Sequence, residues 1–342
     1  MGKRIKWNRR RGDARVESQA DYALIQDSEF HSERASLSAH ADIDDALVIP
    51  EFETEHTHAV TEPTKETPSP AAPTNKGHPQ VFALVGATGG VGTTSIATQL
   101  AHEFAVSAAS AQRSKRSPTD PTVCLIDLDF ESGACAHHLD ILPSLTLEDL
   151  CGSPDQIDRA FTQALVSTHE CGVSLLAAPN TIGANACVNP QTVMAMLDAA
   201  AELYDKVIID LPRYYQPWTM SVMRAVDVLG IWCELIIPSL HAAQERLARL
   251  AALPNNSVNS QVILSKYERR SFKNTLRLSD AETALEQSIF STLCLDPDTT
   301  REALNCGEPA GVIRPESRFV KDVRKLASAL KVEQSNPLAN VA

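Results

Sequence analysis

Seven short apolar runs recur between residues 81 and 294: VFALVG (81–86), VCLIDLD (123–129), VSLLAA (173–178), KVIIDL (206–211), VLGIWCE (228–234), QVILSK (261–266) and IFSTLC (289–294). They are continuous rather than alternating, and strands of that kind need cover on both faces. Stretches with readable helix ends separate them. Asn189-Pro190 reads as a cap followed by proline at the first helical position. Ser279 with Glu282 reads as a capping box, and Gly307 as a glycine stop after REALNC. The final helix is expected over about Glu316 to Leu330. Alternation at this density predicts the α/β class: a doubly wound, mostly parallel sheet with helices on both faces.

That pattern occupies residues 81–331, and the flanks differ from it. The first fifteen residues hold seven bases against one acid, Asp13, whereas Val16 to Glu66 hold thirteen acids against two bases. TEPTKETPSPAAPTNKGHPQ follows, with five prolines. Residues 1–80 therefore read as a disordered arm, basic then acidic, ending in a proline-rich linker, and residues 332–342 as a polar tail. The basic tip reads as a solvated charge block; a tether to anionic lipid is the alternative. A net charge of -12 argues against a nucleic-acid partner. No apolar run has the length of a membrane span, and no apolar stretch follows the basic N-terminus. The expected address is cytoplasmic, with any membrane contact peripheral or through partners. Eight cysteines without a CxxC pair read as reduced thiols.

The chemistry concentrates after the first run. GATGGVGTTS joins a buried strand to the start of a helix, the setting a phosphate loop requires. Glycines 89, 90 and 92 let backbone N–H groups turn inward, and the helix N-terminus adds partial positive charge. Thr94 and Ser95 occupy the hydroxyl positions, with Thr94 suited to a Mg²⁺ ligand. Two further strands end in carboxylates: CLIDLD in Asp127 and Asp129, VIIDLPR in Asp210. Ligands of open α/β sheets bind at the carboxyl ends of strands, and three acids beside a glycine loop suit a Mg²⁺–triphosphate.

The order GGVGTTS, LIDLD, YDKVIIDLPR resembles the ParA/MinD group of P-loop ATPases, whose deviant phosphate loop reads KGGxGK followed by two hydroxyl residues. Within the group the chain is most similar to the CpaE/TadZ branch of pilus-assembly proteins of the tight-adherence (Flp) type. LEDLCGSPDQIDRAFTQALVSTHECGVSLLAAP, YDKVIIDLPRYYQPWTMSVMRAVDVLGIWCE and LCLDPDTTREALNCGEPAGVIRPESRFVKDVRKLA carry the narrower likeness. The resemblance implies that Thr88, Gly89, Gly90 and Val91, with Gly92, Thr93, Thr94 and Ser95, wrap the phosphates of ATP. It implies Mg²⁺ on Thr94, with Asp127 in its outer shell and Asp210 as the Walker-B acid. Asp129 would face the attacking water, and Leu211-Pro212-Arg213 would form a second switch. It also implies a nucleotide-sandwiched homodimer, with a pilus or secretion ATPase and inner-membrane assembly components as partners, at the inner membrane or cell pole.

Both lysines of the group's loop are threonine here, Thr88 and Thr93. A cation near the β- and γ-phosphates stabilises the charge that moves in phosphoryl transfer; one supplied in trans is worth on the order of 10³-fold or more. The expectation is ATP binding with slow or absent hydrolysis, Arg213 being the candidate substitute cation. The chain then reads as a nucleotide-dependent scaffold for pilus assembly. The alternatives are an active ATPase of the group in partitioning or positioning, and an accessory protein of cellulose export. CAHH (135–138), with Cys151 near in sequence, lacks the spacing of a zinc site. The last helix carries an apolar stripe at 319, 320, 323, 326 and 330, which reads as packing on the sheet rather than on a membrane surface.

Overall fold

The computed structural model describes residues 79–111, 122–253, 258–268 and 276–333. The arm proper, the basic loop after residue 111 and the end of the polar tail lie outside the described residues. Eight strands form one sheet: β1 Gln80–Gly86, β2 Val123–Asp127, β3 Ser167–Thr168, β4 Ser174–Leu176, β5 Lys206–Leu211, β6 Val228–Cys233, β7 Ser260–Tyr267 and β8 Ile289–Cys294. Their order is β3-β4-β2-β5-β1-β6-β7-β8, parallel throughout except for the antiparallel β3–β4 edge. The seven apolar runs are the seven longer strands, and the fold is doubly wound α/β as expected.

Alternate residues of each strand enter different cores. Ala83 and Val85 of β1 face one, with Val207 and Ile209 of β5; Phe82, Leu84 and Ile208 face the other. The first core lies under helices α6 (Pro190–Leu203), α7 (Thr219–Ala225), α8 (Ile237–Ala251) and α9 (Leu278–Leu285). The second lies under α1 (Thr93–Ala111), α10 (Pro297–Cys306) and α12 (Arg318–Glu333). The stripe of α12 (Phe319, Val320, Val323, Leu326 and Leu330) is buried there, so this helix packs on the sheet. A polar lock holds it to α1: Arg324 Nε donates to Glu103 Oε2 at 3.0 Å, and Gln99 Nε2 to Glu103 Oε1 at 2.9 Å.

Several boundaries differ from the sequence reading. β2 stops at Asp127: Leu128 N still donates to Asp210 O at 3.0 Å, and the chain then turns into a loop at Asp129. The box expected at Ser279 and Glu282 is built two residues earlier: Asp280 Oδ2 accepts from Arg277 N at 2.8 Å, and Glu282 Oε1 accepts from Ile289 N at 3.2 Å. The last helix begins at Arg318 and takes the first two residues of the expected tail. Asn189 caps α6 as expected, accepting from Thr192 N at 2.7 Å, and Gly307 ends α10 in the left-handed region at φ 65°. The cysteine reading needs correction. Cys151 and Cys187 are disulfide-bonded, joining α3 (Leu147–Cys151) to α5 (Ala184–Cys187), while the other six are free thiols.

The winding fixes where a ligand can sit. From β1 the chain moves to one side of the sheet through β2 and β4, returns in β5, and moves to the other side through β6, β7 and β8. The carboxyl ends of β1 and β5 therefore flank the reversal point, where an open α/β sheet leaves its crevice.

Candidate functional site

A cavity of about 340 Å³ opens at that reversal point, within the range of small-ligand sites. The residues after β1 form one wall. Gly92 sits at φ 87°, a conformation only glycine adopts without strain, and Ile96 N donates back to Gly92 O at 3.0 Å to open α1. A helix start leaves its first N–H groups without intrahelical partners, as an anion site requires, and the residues of that first turn line the cavity. Thr88, Gly89, Gly90, Val91, Gly92 and the hydroxyl residues Thr93, Thr94 and Ser95 all line it. Thr88 stands where the resembling group has a lysine, and its Oγ1 lies 2.9 Å from Ser239 Oγ on α8. Ser239 Oγ in turn accepts from Glu234 N at 3.0 Å, so the loop is tied to the start of α8.

The carboxylates fall into two sets. Asp129 and Asp210 line the cavity, whereas Asp127 lies behind it. Thr94 Oγ1 donates to Asp210 Oδ2 at 2.6 Å, which joins the start of α1 to the end of β5. Asp127 Oδ1 accepts from Asp129 N at 3.1 Å and its Oδ2 from Cys135 N at 3.0 Å, so both oxygens hold the turn that follows β2. Gly133 belongs to that turn for a steric reason: a Cβ there would stand 2.7 Å from the Asp127 Cγ. Cys135 opens the short helix α2 (Cys135–His138), and its Sγ donates to Asp210 Oδ2 at 3.6 Å. Ligand atoms of Asp127, Cys135 and Asp210 thus converge within 4.8 Å in a buried cluster. The zinc grouping of CAHH with Cys151 does not form: Cys151 is in the disulfide, and Cys135 faces the two aspartates.

Burial pushes the Asp210 carboxyl well up, and Asp127 beside it adds to the shift. Asp127 is likewise raised, mainly by burial. Burial also raises the Cys135 thiol, with Asp127 and Asp210 pushing the same way. Asp129 is raised by burial against two backbone N–H bonds, from Ser132 and Glu131.

The loop after β5 supplies a further part of the cavity wall. Arg213 lines it, and a Cβ on Gly89 would meet the Arg213 guanidinium carbon at 4.0 Å. The guanidinium lies over the Tyr214 ring at 4.2 Å. Below it Arg246 of α8, only 7% exposed, donates from Nη2 to the Arg213 carbonyl and sits 5.1 Å from the Tyr215 ring centre. Phe130 packs edge-on against Trp218 with ring centres 5.8 Å apart, pinning the loops after β2 and β5 to one another. Glu131 Oε1 accepts from Gly183 N and Asn185 N at 3.1 and 3.2 Å, and so holds the start of α5.

Sequence reasoning named every residue of the loop wall, together with Asp129, Asp210 and Arg213, and the fold brings these together. It missed Ser239 and Arg246, and weighed Cys135 and His138 only as parts of a zinc grouping. For Arg246 a signal existed: it falls on the apolar face of α8 with Leu240, Ala243 and Leu250, where an arginine must have a reason to be buried. For Ser239 the motif strings carry no mark.

No family model matches the chain, and no curated protein matches it. Solved structures do. A ParA family ATPase from Chlorobium tepidum TLS superposes with a TM-score of 0.64 at 22% identity, over 74% of this chain and 98% of that one. The septum site-determining protein MinD from Pyrococcus horikoshii OT3, solved with Mg-ADP, gives 0.58 at 18% identity, over 77% and 98%. The ATP complex of a single-residue variant of Cyanothece McdA gives 0.56 at 18% identity, over 74% and 97%. Eight strands in this order, a glycine loop after β1 and these superpositions lead to one statement: the chain has the fold of the ParA- and MinD-type P-loop ATPases.

Proposed function

We propose that this protein binds ATP with Mg²⁺ in the cavity at the end of β1 and β5, and uses the bound nucleotide to dimerise and to position an assembly. The observation that carries the reading is the 2.6 Å bond from Thr94 Oγ1 to Asp210 Oδ2 at the foot of a left-handed glycine loop. A hydroxyl and a buried carboxylate, both hard oxygen donors, beside an amide-lined anion cradle suit a divalent cation and the phosphates it accompanies. Thr94 would hold Mg²⁺, with Asp210 and Asp127 behind it; when bound, the ion supplies charge neutralisation to the phosphate oxygens. Asp210 carries a raised carboxyl, so cation binding displaces a proton from it.

The chain's own residues favour holding over turnover. Thr93 supplies a hydroxyl and no charge, and Thr88 is engaged by Ser239. The loop amides and the α1 dipole remain to bind phosphate, which leaves binding intact while the electrostatic contribution to transfer is small. The solved MinD and McdA complexes hold Mg-ADP and ATP, and an Aquifex aeolicus MinD is solved as a MinC:MinD complex. The MinC:MinD precedent supports recruitment of a partner, and the nucleotide-gated homodimer is what the resemblance to the group implies. The likeness to the CpaE/TadZ branch makes the partner a pilus-assembly apparatus of the Flp type, and the address the cytoplasmic side of the inner membrane.

A second reading is favoured by the position of Arg213 beside Gly89: a working ATPase in which this guanidinium stands in for the lysine. Titrating Mg²⁺–ATP into the full chain separates the readings. Binding that is lost in Gly92→Val supports the nucleotide-gated scaffold. Turnover abolished by both Asp129→Ala and Arg213→Ala supports the working enzyme. Absence of binding at millimolar ATP overturns both.

A further inference from the structure

His138 lines the cavity, and neither the loop motif nor the carboxylates give it a task. Among the described residues that line the cavity, only Arg213 and His138 are basic, and Arg213 comes from the loop after β5. His138 ends the four-residue helix α2 and lines the same cavity as the glycine loop. Its place relative to the cation-binding pair follows from helix geometry. Cys135 Sγ touches Asp210 Oδ2, the same atom that accepts from Thr94. Residues i and i+3 share a helix face, so the His138 ring stands one turn beyond that contact. A divalent cation held by Thr94 and Asp210 would neutralise the last phosphates of a nucleotide. A ring one turn from that pair, on the wall of the same cavity, would then be in reach of the terminal phosphate.

The ring is free to act there. No hydrogen bond and no carboxylate among the described residues bears on it; burial and the neighbouring His137 hold its pKa down, to about 4. A neutral, half-buried imidazole beside an anion cradle has one N–H to donate and no partner that competes for it.

We propose that His138 is a phosphate-contacting residue that recognises the terminal phosphate of a nucleoside triphosphate, donating from its imidazole to an oxygen that the diphosphate lacks. The inference rests on the nucleotide reading above, and makes it specific: the protein distinguishes ATP from ADP from the β2 side of the cavity rather than from the loop that has lost its lysines.

The test is calorimetric titration of the full chain with Mg²⁺–ATP and Mg²⁺–ADP, comparing wild type, His138→Ala and His138→Gln. A hydrogen bond to a charged group predicts a loss of about tenfold or more in ATP affinity for H138A, with ADP changed less than about twofold. H138Q keeps an N–H donor and should recover part of the loss. Separately, one of the ten histidine Cε1–Hε1 signals, identified by its absence in H138Q, should shift when ATP is added to wild type and much less with ADP. ATP binding by wild type with H138A unchanged, or with ATP and ADP weakened equally, overturns this assignment and leaves the nucleotide reading standing. Failure of wild type to bind either nucleotide overturns both.

Discussion

Asp210→Asn isolates the electrostatics of the cavity floor. Asp210 is 5% exposed and Asp127 1%, and their nearest oxygens lie within 4.8 Å of one another. Two unit charges at that separation repel by about 3 kcal/mol at an effective dielectric of about 20, before the cost of burial is counted. Without a cation the folded chain avoids this by keeping a proton on Asp210, whose carboxyl is raised by burial and by Asp127. The sign follows. The native state binds more protons than the unfolded chain, so stability falls as pH rises from the unfolded carboxylate pKa through the raised native one. Asparagine removes the charge and keeps a carbonyl that can accept from Thr94. Urea unfolding in the presence of a chelator should show D210N more stable than wild type by on the order of 3 kcal/mol at about pH 8, with the gap closing towards about pH 4. Mg²⁺ should stabilise wild type at the higher pH and leave D210N unmoved. A variant equally destabilised at both pH values would refute the reasoning, because the carboxylate would then be serving packing and hydrogen bonding rather than storing repulsion.

Three other perturbations follow from the contacts described. Phe130→Ala should cost about 3–5 kcal/mol in urea unfolding, because its ring is fully buried against Trp218. The disulfide spans a separation of 36 residues, so reduction or Cys151→Ser should lower stability by about 3–4 kcal/mol on the chain-entropy account. Thiol titration in denaturant without reductant should count the six free cysteines. Arg246→Lys keeps the charge but loses the planar contact with Tyr215 and the bond to the Arg213 carbonyl; ATP affinity should fall about threefold to tenfold, read by calorimetry.

The sheet was legible because strands buried on both faces read as short continuous apolar runs between helix signals, VFALVG being the plainest. The phosphate-loop wall was legible for a similar reason, since Gly92 at φ 87° leaves a mark in composition. What stayed hidden depends on distances through space. Cys135 meets Asp210 across 75 residues, and Thr88 meets Ser239 across 151. No local pattern records that Ser239, the one serine of α8, will face the loop. The end of β2 was misjudged, since the run was read through Asp129 and the strand stops at Asp127, whose two oxygens accept backbone N–H groups of the turn that follows. The Cys151–Cys187 bond was missed because α3 and α5 are brief and carry little periodicity.

The central position of β1 has a consequence in time. Its partners are β5 and β6, and the nearest register pair joins Gln80 to Lys206, 126 residues further along the chain. During synthesis at about 5–20 residues per second, that interval lasts roughly 6–25 s. Throughout it the glycine loop has a strand behind it with neither edge paired, and α1 has no complete sheet to cover. Contacts of such separation are slow to close even in the finished chain. The nucleotide cradle is thus encoded early and assembled late, and destabilising β5 should delay the cavity more than destabilising the strand that carries the loop.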